Sequence, residues 1–190
     1  LLLANDKTSL KIKRRIAEVV AHELWHQWSG NLVTMKWWND LWLNESFATF
    51  MAYKAVDYYF PEWNMWEEFL ESQTAGALES DSLKTTHPIE AKVKNPNEIE
   101  EIFDNISYGK GGSILRMIES YVGEKEFQNG VSNYLKEHEY KNAVSADFWR
   151  HISDFSDANA KEIIKNWLSQ PGYPLIKIEE KESFLKIKQE

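Results

Sequence analysis

HELWHQWSGNLVTMKWWNDLWLNES, residues 22–46, is the stretch from which the rest of the chain is read. His22 and His26 stand four residues apart, and a helix of 3.6 residues per turn stacks their imidazoles on one face, about one turn apart. Two ring nitrogens can then grip one ion. Glu23, next round the helix from His22, lies where a carboxylate can hold a metal-bound water and take its proton. A catalytic zinc takes three protein ligands and leaves one position for water, so a third donor is needed from elsewhere. Glu45 is the candidate. It forms a stripe with Ala48, Thr49 and Ala52 at i, i+3, i+4 and i+7, and a face of such small residues permits close approach of a second helix. The competing readings are two ordinary helix histidines in an aromatic-rich region and a solvated Glu45. Leu41, Trp42, Leu43 and Phe47 around Glu45 argue against a solvent face.

Working outward, Ile12, Ile16, Val19, Val20 and Leu24 recur at helical spacing, which predicts a helix from Ser9 to Trp28 with Thr8 or Ser9 as N-cap and Gly30 as stop. A second helix is predicted from the cap candidates Asn39 and Asp40 through Leu41 to Tyr59, ending before Pro61. Further helices are read at 62–75, 97–103, 107–122, 124–138, 145–156 and 158–169, with Pro96 in a first turn and Ser145 and Asp157 as caps. Residues 80–97 read as an internal loop. After Pro174, Leu175–Ile178 and Phe184–Lys188 alternate in polarity around an acidic turn, which predicts a β-hairpin. A lone hairpin is marginal. The expectation is therefore a segment of a longer polypeptide, with a helical catalytic unit over 1–174 and the first strands of a β-rich domain over 175–190.

Composition narrows the chemistry. With 22 Lys+Arg against 30 Asp+Glu the net charge is −8, which argues against a broadly basic nucleic-acid binder, and 43% hydrophobic residues supply a core. The absence of cysteine leaves His, Asp and Glu as metal donors and removes disulfides and a thiol nucleophile. No apolar run reaches the roughly 18 residues of a membrane span, and Leu1-Leu2-Leu3-Ala4 is too short for a signal peptide, so no membrane partner and a cytoplasmic location are expected. Two imidazoles and a carboxylate suit zinc best, while admitting cobalt, manganese or iron.

The runs His22–Val33 and Trp37–Ala48, with Thr86-His87-Pro88-Ile89, Phe103–Gly112 and Trp167–Pro174, resemble the zinc aminopeptidases of the M1 family, gluzincins with a thermolysin-like catalytic domain. The wording is most similar to the archaeal tricorn-protease-interacting factors. The resemblance implies a mainly α catalytic domain, one zinc ion held by His22, His26 and Glu45, Glu23 as catalytic base, Tyr108 as the hydroxyl that stabilises the tetrahedral intermediate, and a peptide as substrate. Tyr108 has no periodicity to mark it. A neutral phenol is nonetheless a donor at pH 7 and can aim its proton at a developing oxyanion, and neighbouring glycines let backbone approach closely. Gly109-Lys110-Gly111-Gly112-Ser113 does not meet the phosphate-loop pattern, because glycine follows Lys110 and Asp104 stands where the first glycine belongs.

Two positions depart from the family. The Gly-x-Met-Glu-Asn motif that binds the substrate's α-amine has no match in Leu1–Val20, and Ser46 stands where many members have glycine. The alternatives left open are a zinc hydrolase of another substrate class, a metal-binding but inactive fragment, and an interaction module without metal. His87, His138 and His151 have no partner at metal spacing and read as surface or cap residues. Trp37, Trp38, Trp42, Trp63, Trp66, Trp149 and Trp167 read as core, and Glu98, Glu100 and Glu101 as a solvated face.

Overall fold

The computed structural model describes residues 4–155 and 160–190, with residues 160 and 161 described by their backbone. The apolar Leu1–Leu3 and the predicted Asp157 cap lie outside these residues. The first helix, α1, runs Leu10–Trp25, with the Ser9 hydroxyl accepting from the Ile12 amide as predicted. Gly30 lies beyond its end, after a tight turn. The second, α2, runs Trp42–Tyr59.

Asn39 and Asp40 do not cap α2; they form a 3₁₀ turn, Trp38–Asp40, and the residue before α2 is Leu41. Both side chains have distant partners instead. Asn39 Oδ1 accepts from the Val93 amide at 3.2 Å and Asp40 Oδ1 from the Ser145 amide at 3.3 Å.

α2 is apolar nearly all round, which is the pattern of a helix enclosed by its neighbours. Trp42, Leu43, Phe47, Ala48, Phe50 and Ala52 are all buried. Its aromatic side chains meet the helices that follow: Phe47 and Phe148 cross edge-to-face at 5.1 Å, and Trp42 stacks on Trp149 at 5.5 Å. The tryptophan prediction holds for Trp42 and Trp149, which are 1% and 4% exposed, but not for Trp37, at 45%.

A longer helical run follows, made of α3 (Met65–Phe69), a wide i→i+5 turn over Leu70–Thr74, and α4 (Ala75–Asp81). It extends past the predicted end at 75. Residues 97–103 are not α-helical but sit in a 3₁₀ run, Pro96–Ile102, capped by Asn95 and Glu98. Repulsion among clustered glutamates works against a longer helix there. A second wide turn, Ile106–Lys110, feeds α5 (Gly111–Val122), followed by α6 (Glu124–Glu137), α7 (Ser145–Asp154) and α8 (Ala160–Ser169). Ser145 is the first residue of α7, and the Asp147 carboxylate accepts from the Val144 amide ahead of it.

A pair the sequence did not signal joins β1 (Val33–Met35) to β2 (Lys141–Ala143) in parallel, with Val33 opposite Lys141. The predicted hairpin is present as β3 (Ile176–Glu180) and β4 (Leu185–Gln189), antiparallel, with Ile178 opposite Ile187. Its apolar side chains are exposed on both strands. No helix is long and apolar enough to cross a membrane among the described residues.

Candidate active site

α1 and α2 pack with the small face of α2 turned to the histidines. Thr49 Oγ1 lies 3.4 Å from His22 Nδ1, and Glu45, one turn earlier, reaches both rings. His22 Nε2 is 3.1 Å from His26 Nε2, and Glu45 Oε2 is 3.2 Å from the first and 3.5 Å from the second. A tetrahedral zinc with bonds of about 2.0–2.1 Å sets its donors about 3.3–3.4 Å apart. The three atoms match that triangle.

Electrostatics point the same way. His26 Nδ1 faces the Ser29 carbonyl oxygen at 2.9 Å, which can only accept, so this nitrogen carries the proton and Nε2 of the neutral ring presents a lone pair. Ser29 is held in turn, since its hydroxyl donates to the Leu43 carbonyl and ties the end of α1 to the start of α2. The hydrogen bond and charge of Glu45 push the His26 pKa up despite burial. Burial pushes the Glu45 carboxyl up, but hydrogen bonds from His22 and His26 outweigh it and bring the pKa down to about 2. Both shifts say that positive charge is favoured at the centre of the triangle, the property a cation site needs. The donor set therefore fits a zinc ion.

The triangle opens into a cleft of about 470 Å³ lined by His22, Glu23, His26, Glu45, Phe103 and Tyr108. Glu23 is exposed within it. The Tyr108 ring stacks on that of His22 at 6.0 Å and 16°. Burial, then the charge of Glu45, holds its phenol above the ordinary value, so it stays protonated at neutral pH. The sequence-nominated set of Glu23, Tyr108, His22, His26 and Glu45 is thus brought to one cleft.

Glycine makes the approach of Tyr108 possible. A β-carbon on Gly109 would sit 2.5 Å from the Gln73 carbonyl oxygen, and one on Gly111 would sit 1.9 Å from Ser46 Oγ. The two wide turns therefore meet backbone to backbone, and Ser46, fully buried, donates to the Ser107 carbonyl at 2.5 Å.

The remaining histidines are less bland than their spacing indicates. His87 Nε2 lies 3.0 Å from Asp104 Oδ2. His138 and His151 meet across α6 and α7 beside Glu137, and His151 is buried rather than on the surface. There the cation is already an arginine: Arg150 donates to Glu137 at 2.6 Å and reaches His151 Nε2 at 3.3 Å. No motif spacing marks these long-range pairs.

A family model described as Peptidase family M1 domain matches residues 1–167. The chain is 59% identical over 177 residues to a leucyl aminopeptidase of Saccharolobus solfataricus, covering 93% of this chain and 22% of that protein. It is 54% identical over 177 residues to the Tricorn protease-interacting factor F2 of Thermoplasma acidophilum, covering 93% of this chain and 23% of that protein. With Aminopeptidase M1-D of Oryza sativa the identity is 46% over 190 residues, covering 100% of this chain and 22% of that protein. The chain spans less than a quarter of the length of these relatives.

Proposed function

The chain belongs to peptidase family M1, and on that premise we propose that it carries the catalytic centre of a zinc-dependent aminopeptidase acting on short peptides. The observation that carries the reading is the triangle of His22 Nε2, His26 Nε2 and Glu45 Oε2, with sides of 3.1–3.5 Å, set in a cleft with a carboxylate and a phenol beside it. In this reading His22, His26 and Glu45 hold one zinc ion. Zinc bound there polarises a carbonyl as a Lewis acid and lowers the pKa of a water ligand towards about 7.

The chain's own groups do the rest. Glu23, unburdened by an ion-pair partner among the described residues, accepts the proton of the attacking water and returns it to the departing amine. The Tyr108 hydroxyl donates to the peptide oxygen as negative charge grows on it, an interaction stronger in the transition state than in the ground state. Thr49 and the Ser29 carbonyl hold the two imidazoles in orientation. Residues 1–174 belong to this unit, and the hairpin at 175–190, with its apolar side chains uncovered, begins a further domain.

The test is Glu23→Gln. Zinc content should stay at one ion per chain while turnover of a free-amine peptide falls by about 10²-fold or more; near-normal turnover with zinc retained would overturn the reading.

A further inference from the structure

Tyr108 lies in the wide turn Ile106–Lys110, where no regular i→i+4 ladder fixes the direction of a side chain. Its anchorage comes from Asp104. The Asp104 main-chain carbonyl accepts from the Tyr108 amide at 3.0 Å, and its Oδ1 accepts from the amides of Ile106 and Ser107 at 2.9 and 3.1 Å. Two N–H groups that a helix start leaves orphaned are thus met by the Asp104 carboxylate, and the third closes a helical turn on its main-chain carbonyl. The other carboxylate oxygen faces His87 Nε2 at 3.0 Å, while His87 Nδ1 faces the Pro88 carbonyl oxygen at 2.7 Å.

We infer that His87 and Asp104 form a positioning pair that aims the Tyr108 hydroxyl into the cleft, acting through the first turn of its segment rather than by touching substrate. Both partners of the His87 ring are oxygens that only accept, so the ring satisfies them by donating from both nitrogens, as an imidazolium. The charged groups facing it are Asp104, whose hydrogen bond pushes its pKa up against burial, and Asp81, itself paired with Lys110. The Asp104 side chain is 35% exposed, so without His87 only the Ile106 and Ser107 amides hold it against rotation towards water. Phe103, adjacent to Asp104, packs its ring 6.4 Å from that of Tyr108, so movement of this segment reaches the phenol directly.

This inference rests on the proposed oxyanion role of Tyr108, and its test separates the two. The variants are H87A, H87Q, Y108F and H87A/Y108F in the full-length protein, followed by kcat, KM and the fluorine NMR signal of fluorotyrosine-labelled protein, with the Tyr108 resonance assigned by its loss in Y108F. H87A should lower kcat roughly ten- to a hundredfold, the range seen when partners that orient a functional group are removed. KM should change by less than about twofold. In the Y108F background the same substitution should cost almost nothing, and H87Q, whose amide can still donate to Asp104, should recover most of the loss. The Tyr108 resonance should shift in H87A and return in H87Q. An unmoved resonance, or an equal loss of kcat in the wild-type and Y108F backgrounds, overturns the pair. A shifted resonance with a fully active Y108F leaves the pair standing and fells the oxyanion role alone.

Discussion

Lys110 Nζ lies 2.7 Å from Asp81 Oδ2, with the two side chains 7% and 1% exposed. Lys110 also donates to the carbonyls of Gln170 and Gly172, and Asp81 Oδ1 accepts from Thr86 Oγ1 and the Gly172 amide. One buried pair therefore joins the end of α4, the segment that carries Tyr108, and the turn after α8. Burying two charges is costly, and these four hydrogen bonds offset part of that cost, while Asp81 Oδ2 faces Lys110 alone.

Asp81→Asn should cost about 3–5 kcal/mol, since it leaves an ammonium buried without its counter-charge. Burial raises the Asp81 pKa, but Lys110, Thr86 and Gly172 outweigh it and hold the carboxyl below its ordinary value. A depressed carboxyl stabilises the fold fully above its unfolded pKa and loses that contribution as pH falls through the folded value. Denaturant unfolding should show a constant gap between wild type and D81N from neutral pH down to about 4, narrowing below it. A gap unchanged in strong acid contradicts the assignment.

Gly111→Ala should destabilise by about 1–3 kcal/mol, because the added carbon would overlap Ser46 Oγ. Ser46→Ala would not relieve it, as Ser46 Cβ is itself 2.8 Å from the added carbon. Thermal unfolding should instead find that G111A adds little further loss in an S46G background. Additive losses would mean that the clash lies elsewhere.

Metal analysis should find one zinc per chain, not two, because Arg150 already occupies the second histidine cluster. His151→Ala should leave zinc content unchanged, whereas Glu45→Gln should strongly weaken zinc binding. Free zinc at a hundred times its Kd should stabilise the wild type by about 2.7 kcal/mol, an increment that shrinks in E45Q.

Tyr108→Phe should reduce kcat by about 10²–10³-fold, the range for loss of one oxyanion donor, with zinc content unchanged. Equal activity in the two proteins would remove the phenol from the chemistry.

The two helices of the site were legible because their information is local. His22 and His26 share a face by spacing alone, and the small residues beside Glu45 announce a close helix neighbour. Cap assignments at Asn39 and Asp40 failed because a side chain that suits a cap also suits a distant amide, and here Val93 and Ser145 supply one. Strands of three residues, as in β1 and β2, are too short to show a period.

By itself the sequence determined the helical class, the three candidate donors and the hairpin at 175–190, since each follows from residue type and short-range periodicity. Tertiary structure alone decided that the donors close to a triangle of metal-binding size, that Tyr108 turns into the cleft, and that His87, Asp104, Asp81 and Lys110 hold it there. Apart from the His22–His26 pair, those relationships are contacts between residues 17 to 86 positions apart, and such contacts depend on how helices pack, which no single segment encodes.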